Sequence, residues 1–346
     1  MSGRRAARKH PDRPARRRRP FLVALIATVG GLVGIAAVLA VVASVFVGGL
    51  ARSYDRNTDT IADAFPSGDR PAASGDGAGA DAPMNVLLIG SDSRSNLDPN
   101  GDHAAGGRSD TLMLVHVPAD RKSVSIMSIM RDSWVDVPGH GTAKINAAYS
   151  WGGIPLTVQT VEQLLDVRID HVAEIDFAGF VGMTDALGGV TVESPKAFSI
   201  DGRHFDAGPN RLDGTGALAF VRARYAFADA DHTRVRNQQA FMRGIVDGVL
   251  SKGTITDPGR IQDFVTATSK YLSVDAGLDF GTLVGLGWSL RGVTPSDLQT
   301  FTMPTAGGGT SADGQSYVAV NQGAVQSLSA ALRSDDLTSW LAANPH

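Results

Sequence analysis

The strongest constraint on this chain is an unbroken run of 31 residues, Phe21–Ala51, without one charged side chain. About 20 apolar residues cross a bilayer as a helix, so this run can span with room for tilt. A signal peptide has an apolar core of roughly 7–15 residues ahead of a small-residue cleavage site. The run exceeds that and reads as an uncleaved anchor. Arg4, Arg5, Arg8, Lys9, Arg13 and Arg16–Arg19 precede it, against one acid, Asp12. Only Arg52 and Arg56 follow closely, beside Asp55 and Asp59. The positive-inside rule then makes 1–20 a basic cytoplasmic tail, 21–51 a transmembrane helix and the remainder extracytoplasmic. This is a single-pass type II arrangement in the cell membrane. The tail also suits anionic lipid headgroups. With Pro11, Pro14 and Pro20 it offers no recognition element for DNA, so no nucleic-acid partner is expected.

The net charge of -3 over 346 residues therefore hides a basic end and an acidic remainder. Ser67–Pro83, rich in Gly, Ala, Pro and Asp, is too polar and small to build a core. Residues 52–83 are expected to be a flexible extracytoplasmic linker, and 84–346 one folded domain. Within it, Asn85–Gly90, Thr111–Val117 and Ser123–Met130 read as buried strands, the last two joined as a hairpin through Pro118–Lys122. Pro155 fits the first turn of a helix carrying Leu156, Val161, Leu164 and Leu165. A second helix carries Phe177, Phe180, Val181 and Leu187 and is closed by Gly188-Gly189 before a strand at Val190–Val192. A third, Asp231–Leu250, repeats Phe241, Ile245 and Val249 on one face. Helices at Ile261–Leu272, Leu283–Leu290 and Asn321–Leu332 and a strand at Leu298–Met303 complete the pattern. The class is α/β or α+β, a sheet covered by helices.

The absence of Cys excludes a disulfide framework, a thiolate metal site and a Cys nucleophile. No G-x-x-x-x-G-K-[ST], G-x-S-x-G or H-E-x-x-H occurs, and the eight His lack metal-ligand spacing. What stands out is Arg and Asp gathered at strand ends. Ser91-Asp92-Ser93-Arg94 follows the first strand, Gly107-Arg108-Ser109-Asp110-Thr111 leads into the second, and Arg131-Asp132 ends the third. Lys144-Ile145-Asn146, Arg222-Ala223-Arg224 and the run from Asp231 to Gln239 come later. Arg234 and Gln238 share a helix face, and Asp231 stands where an N-cap would serve. Surface ion pairing accounts for single arginines. Several converging on one sheet end match an anion, because the guanidinium fork fits phosphate oxygens. Paired carboxylates add the hard oxygens that Mg²⁺ takes together with substrate phosphates. The set is equipment for a pyrophosphate and for phosphoryl transfer without a covalent nucleophile.

In order, GSDSR, GGRSDTLMLV, the RD pair, KINAAYSWGG, DALGGVTVE, ALAFVRAR and DHTRVRNQQ resemble the LytR-CpsA-Psr (LCP) family over about residues 85–250. The resemblance implies an α/β/α fold with a central mixed sheet and a deep apolar pocket for a polyprenyl chain. It implies a phosphotransferase that moves a glycopolymer phosphate from a polyprenyl-pyrophosphate carrier to a peptidoglycan hydroxyl. Carried over by motif, Asp92 and Asp110 would hold Mg²⁺, with Asp102 a rival for the first position. Arg108, Arg131, Arg222, Arg224 and Arg234 would hold the pyrophosphate, with Lys144 and Gln238 supporting the head group. Asp92, Asp110, Arg108 and Arg131 would form the catalytic set, either Asp serving as proton acceptor. The chain departs from the family pattern at Met130, usually Pro, and at Asn237, usually Arg, where Arg236 is a substitute. The apolar faces of 155–166, 177–187 and 240–250 are the expected pocket lining. Two rival readings are a lipid-pyrophosphate hydrolase with water as acceptor and a non-catalytic membrane regulator.

Overall fold

The computed structural model describes residues 44–73, 82–91, 109–223, 230–251, 253 and 257–345. The chain divides after Gly49 into two units, the second being Leu50–His346. Residues 1–43 lie outside the described part, and with them most of the expected transmembrane segment. No helix among the described residues is long and apolar enough to cross a membrane.

The second unit is built on a seven-stranded mixed sheet ordered β1-β12-β7-β2-β3-β4-β13. Its strands are β1 (Asp59–Ile61), β2 (Met84–Ser91), β3 (Ser109–Val117), β4 (Val124–Ile129), β7 (His171–Asp176), β12 (Leu272–Asp275) and β13 (Leu298–Thr302). β2, β3 and β4 run antiparallel in sequence, the expected hairpin included, while β2 and β7 are parallel. Side chains alternate across a strand, and the apolar runs show which face does what. Leu87, Ile89, Leu112 and Leu114 point to one face, where α2 (Asn146–Leu165) supplies Val158, Val161 and Leu165. α8 (Gln322–Arg333) and α9 (Leu337–Ala343) close that layer with Leu328 and Trp340. On the other face Met113 and Ile126 meet Met242 and Val246 of α5 (Ala230–Leu250). The α/β/α layering follows.

α2 is two helical pieces. Gly153 has φ of 62°, a left-handed value that a Cβ disfavours, and Pro155 then starts the second piece as its position suggested. α3 (Phe177–Ala186) ends ahead of Gly188 and Gly189, both at positive φ, as expected. α4 (Gly214–Arg222) and the paired β8 (Val190–Ser194) and β11 (Gly208–Leu212) pack beside it. β9 (Phe198–Ile200) pairs with β10 (Arg203–Phe205), and Phe198, Phe205 and Phe220 form one aromatic cluster with Phe241 and Ile245. A separate sheet ordered β14-β15-β5-β6 joins β5 (Ser133–Val137), β6 (Gly141–Lys144), β14 (Thr305–Thr310) and β15 (Ser316–Val320). α1 (44–57), α6 (Pro258–Ser269) and α7 (Phe280–Ser289) complete the described elements. Leu272, assigned from sequence to the helix that ends at Ser269, starts β12 instead.

One expectation is overturned. Residues 52–83 are not a linker throughout, because β1 pairs in parallel with β12 at the sheet edge. Leu50 and Tyr54 are 8% and 6% exposed, and Ile61 and Ala64 enter the main core. Arg70 reaches the buried Glu162 at 2.6 Å and lies over the Phe65 ring. A few anchoring side chains suffice where composition averages to a tether. The folded body therefore begins at Leu50 rather than Met84.

Candidate functional site

A cavity of about 320 Å³ opens on the α5 face of the sheet, between the C-terminal ends of β2 and β7 and helices α3, α4 and α5. Strand alternation selects its floor: Leu88 and Gly90 from β2 and Thr111 and Met113 from β3 are the neighbours of the residues that face α2. Phe180 and Met183 of α3, Leu218 and Val221 of α4, and Phe241 and Met242 of α5 make apolar walls. Phe180 stacks on Phe241 with ring centroids 4.1 Å apart. α3 starts directly from β7 because Asp176 caps it, its carboxylate accepting from the Gly179 amide at 2.7 Å. That turn also brings Asp176 and Phe177 to the cavity.

One end of this apolar space is cationic. Arg131, Arg222 and Arg234 all line it, with Asp110 and Gln238. Arg131 follows β4 directly, and its Nη1 donates to Asp110 Oδ1 at 2.5 Å. Its Nε lies 3.5 Å from Asp132, and Lys144 Nζ lies 3.2 Å from the other Asp132 oxygen. The backbone fastens this row: Ile145 and Asn146 amides donate to the Ser133 and Arg131 carbonyls. Lys144 thus supports Arg131 through Asp132 and is not itself a lining residue. Arg222, exposed at the C-terminal end of α4, holds its guanidinium 4.7 Å from the Phe177 ring centre. Arg234 is 5% exposed. A turn on along α5, Gln238 Nε2 donates to Thr111 Oγ1 at 2.9 Å.

Five of the nine residues expected at the site, Asp110, Arg131, Arg222, Arg234 and Gln238, therefore meet at one cavity end. Asp92, Arg108 and Arg224 lie outside the described residues, as do Arg94, the rival Asp102 and the side chain of Asp231. Neither residue weighed for the missing arginine contact lines the cavity. Asn237 is 1% exposed and donates to the Phe220 carbonyl, while Arg236 donates to Thr233 Oγ1. The expected lining is also corrected: the 155–166 face packs on the opposite side of the sheet, and α4 takes its place. Sequence reasoning missed Asp176, although an Asp closing an apolar strand ahead of Phe177 is an N-cap signal.

Among the described residues no group of three His, Asp or Glu side chains is placed to hold a metal. Mg²⁺ asks for less, one or two carboxylates with substrate phosphates completing its shell. Asp110, with a carboxylate at the cationic end of the cavity, meets that requirement.

The profile of the LytR_cpsA_psr family matches residues 52–334. A "probable cell wall biosynthesis protein LcpB" of Corynebacterium glutamicum is 36% identical over 65% of this chain and 55% of its own length. A "polyisoprenyl-teichoic acid--peptidoglycan teichoic acid transferase TagU" of Enterococcus faecalis is 35% identical over 57% of this chain and 63% of its own. The chain thus spans between 55% and 63% of these two curated relatives. Among solved structures, TagV of B. subtilis superposes with a TM-score of 0.62 at 25% identity, over 73% of this chain and 97% of that one. A structure of TagT bound to LI-WTA gives 0.60 at 26% identity, over 80% and 98%. With a profile match across most of its length and the three-layer fold, the chain belongs to the LytR_cpsA_psr family.

Proposed function

We propose that this protein is a membrane-anchored phosphotransferase that moves a glycopolymer phosphate from a polyprenyl-pyrophosphate carrier to a peptidoglycan hydroxyl. One observation carries the reading: an apolar cavity whose end is lined by three arginines. A lipid pyrophosphate has that form, a hydrocarbon chain joined to a compact anion. The volume of about 320 Å³ is at the lower end of ligand pockets, roughly 300–1,000 Å³. It suits the isoprene units next to the phosphates rather than a whole carrier lipid. The name of one relative, a teichoic acid transferase acting on peptidoglycan, supports that substrate class, and the name of the other supports a role in cell wall biosynthesis.

In the proposed reaction the sugar hydroxyl oxygen attacks the phosphorus that bears the polymer. The bond to the bridging oxygen breaks, and polyprenyl phosphate leaves. Arg131, Arg222 and Arg234 bind the phosphate oxygens and offset charge on the leaving group, a role that pre-positioned cations fill without reorganisation. Asp132 and Lys144 hold Arg131 in place. The hydroxyl proton passes to a carboxylate, for which Asp110 and Asp92 are the candidates. Asp110 and Asp92 would hold Mg²⁺, which when bound supplies further neutralisation of phosphate charge. Phe180, Leu218 and Phe241 keep water from the lipid side. The anchor is Phe21–Ala51, which puts the cavity outside the cell, where peptidoglycan is.

The test is a transfer assay with a labelled lipid-linked polymer and peptidoglycan acceptor. Polymer bound covalently to peptidoglycan, with one polyprenyl phosphate released per transfer, is the expected outcome. Polymer phosphate released into water at the same rate without acceptor would establish a hydrolase instead. A reporter fused at His346 should be active outside the cytosol, and activity only inside would remove the cell-wall acceptor from reach.

A further inference from the structure

α7 is a surface helix without one charged residue: its sequence is FGTLVGLGWS, and none of its residues is buried. Helices on a protein surface ordinarily show water a polar, charged face. This one shows Val284, 47% exposed, and Trp288, 70% exposed, one turn apart, with Gly281, Gly285 and Gly287 around them. Arg291 lies just beyond, its guanidinium 5.1 Å from the Trp288 ring centre and Nη1 donating to the Trp288 carbonyl. No described carboxylate is paired with it.

The inner side of α7 is already used. Phe280 and Leu283 pack with Tyr54 and Leu278, and the Tyr54 and Phe280 rings are 5.9 Å apart. Tyr54 Oη also donates to the Leu278 carbonyl at 2.8 Å. Tyr54 stands four residues after Leu50, where the folded body begins and where the uncharged Phe21–Ala51 run ends. At 1.5 Å per helical residue, Trp288 lies within roughly 25 Å of that point. Leu50 and Tyr54 are themselves buried in the folded body. α7 therefore packs beside the point at which the apolar run meets the folded body.

We propose that the exposed face of α7 sits in the lipid headgroup layer as a second membrane contact, with Val284 and Trp288 at the acyl boundary and Arg291 on lipid phosphates. Tryptophan is enriched at this interface because its ring is apolar and its N–H polar. Arginine can extend its charge to the phosphates from an apolar surface. The contact fixes the orientation of the body on the membrane. The inference rests on the anchoring of Phe21–Ala51 proposed above and extends it to a part of the chain that the anchor does not contain.

The absence of cysteine permits single-cysteine labelling of the full chain. Val284→Cys, Ala36→Cys and Ala312→Cys, each carrying an environment-sensitive fluorophore, are reconstituted in phosphatidylcholine–phosphatidylglycerol vesicles with or without nitroxide-bearing lipid. Lipid nitroxide should quench the labels at positions 36 and 284, and leave the one at 312 unquenched. Quenching at 36 with a fully water-exposed label at 284 overturns the α7 contact and leaves the anchor standing. A label at 284 shielded from water but unquenched by lipid means that another protein surface, such as a second copy of the chain, covers the helix, and also overturns it. No quenching at 36 removes the anchor and the α7 contact together.

Discussion

Arg131 donates to Asp110 across 2.5 Å at the cationic end of the cavity, so the residue expected to bind phosphate and a residue expected to bind metal are partners. Asp132 and Lys144 continue the row, 3.5 and 3.2 Å along. The alternation of charge holds the Arg131 guanidinium without neutralising the mouth, where Arg222 and Arg234 add two further cations. In the proposed reaction substrate phosphate would share Arg131 with Asp110, and Mg²⁺, if bound to Asp110, would free the guanidinium for the phosphate.

The pairing gives Asp110→Asn two distinguishable outcomes. As a metal ligand, Asp110 is needed for transfer, and the parent enzyme loses activity in EDTA. As a salt-bridge partner only, it is dispensable, and EDTA has no effect. We expect transfer to fall by about 10–100-fold, equivalent to losing an interaction of about 1.5–3 kcal/mol in the transition state. Activity equal to the parent, or a parent enzyme indifferent to EDTA, would remove Mg²⁺ from the reaction.

Arg222 tests the anion site with little risk to folding. It is exposed, and its guanidinium lies over the face of Phe177. Arg222→Ala should therefore leave the thermal midpoint within a few degrees and lower transfer by about 10–100-fold. Phe177→Leu, which keeps the charge but removes the ring beneath it, should have a smaller effect in the same direction. A folded Arg222→Ala enzyme transferring at the parent rate would disprove the phosphate role.

How legible this site was depended on which residues carried it. β2, β3 and β4 are apolar runs, and the charges at their ends were visible because the pattern changes abruptly there. β7 carries no such pattern, since His171–Asp176 includes Glu174, buried and bonded to Tyr149 Oη at 2.5 Å, a pairing no local pattern announces. Without that strand, neither Asp176 nor the turn into α3 is legible. The glycine-rich β14 has no strand pattern of its own and is a strand by pairing with β15. The side of the sheet faced by 155–166 is likewise a long-range fact. Both α2 and α3 have suitable apolar residues, and only the register of β2 and β3 decides which lies on the cavity side.

The lipid reading can be tested by filling the cavity. Leu218 lies in the α4 wall and is only partly buried, so Leu218→Trp can direct its ring into the space with modest repacking. Native mass spectrometry of the parent should detect a retained polyprenyl phosphate, and the variant should have lost it. Transfer should fall through weaker binding of the donor, with unchanged dependence on peptidoglycan concentration. Equal lipid retention in the two proteins would mean that the hydrocarbon lies elsewhere.

Gly214 offers a test of the cavity walls themselves. A Cβ there would fall 2.4 Å from the Val181 carbonyl oxygen and 2.8 Å from its Cα, on α3. Those are backbone atoms, so no rotamer change relieves the overlap, and α4 must withdraw from α3. The start of α4 has little freedom to do so. The Gly214 amide donates to Asp185 Oδ1 at 2.8 Å, and the Gly216 amide to Asp213 Oδ1 at 2.6 Å. Overpacking of this kind costs about 1–3 kcal/mol. At about 2–4 °C per kcal/mol for a domain of this size, the thermal midpoint of Gly214→Ala should fall by several degrees. Because α4 ends at Arg222, a displaced helix also moves that guanidinium, and transfer should fall even at temperatures where the variant is fully folded. Gly285→Ala is the matched control: its Cβ would meet no atom within 4 Å, so alanine there should be neutral or slightly stabilising. If Gly214→Ala keeps both the parent midpoint and the parent rate, α3 and α4 are not in the close contact that shapes the cavity.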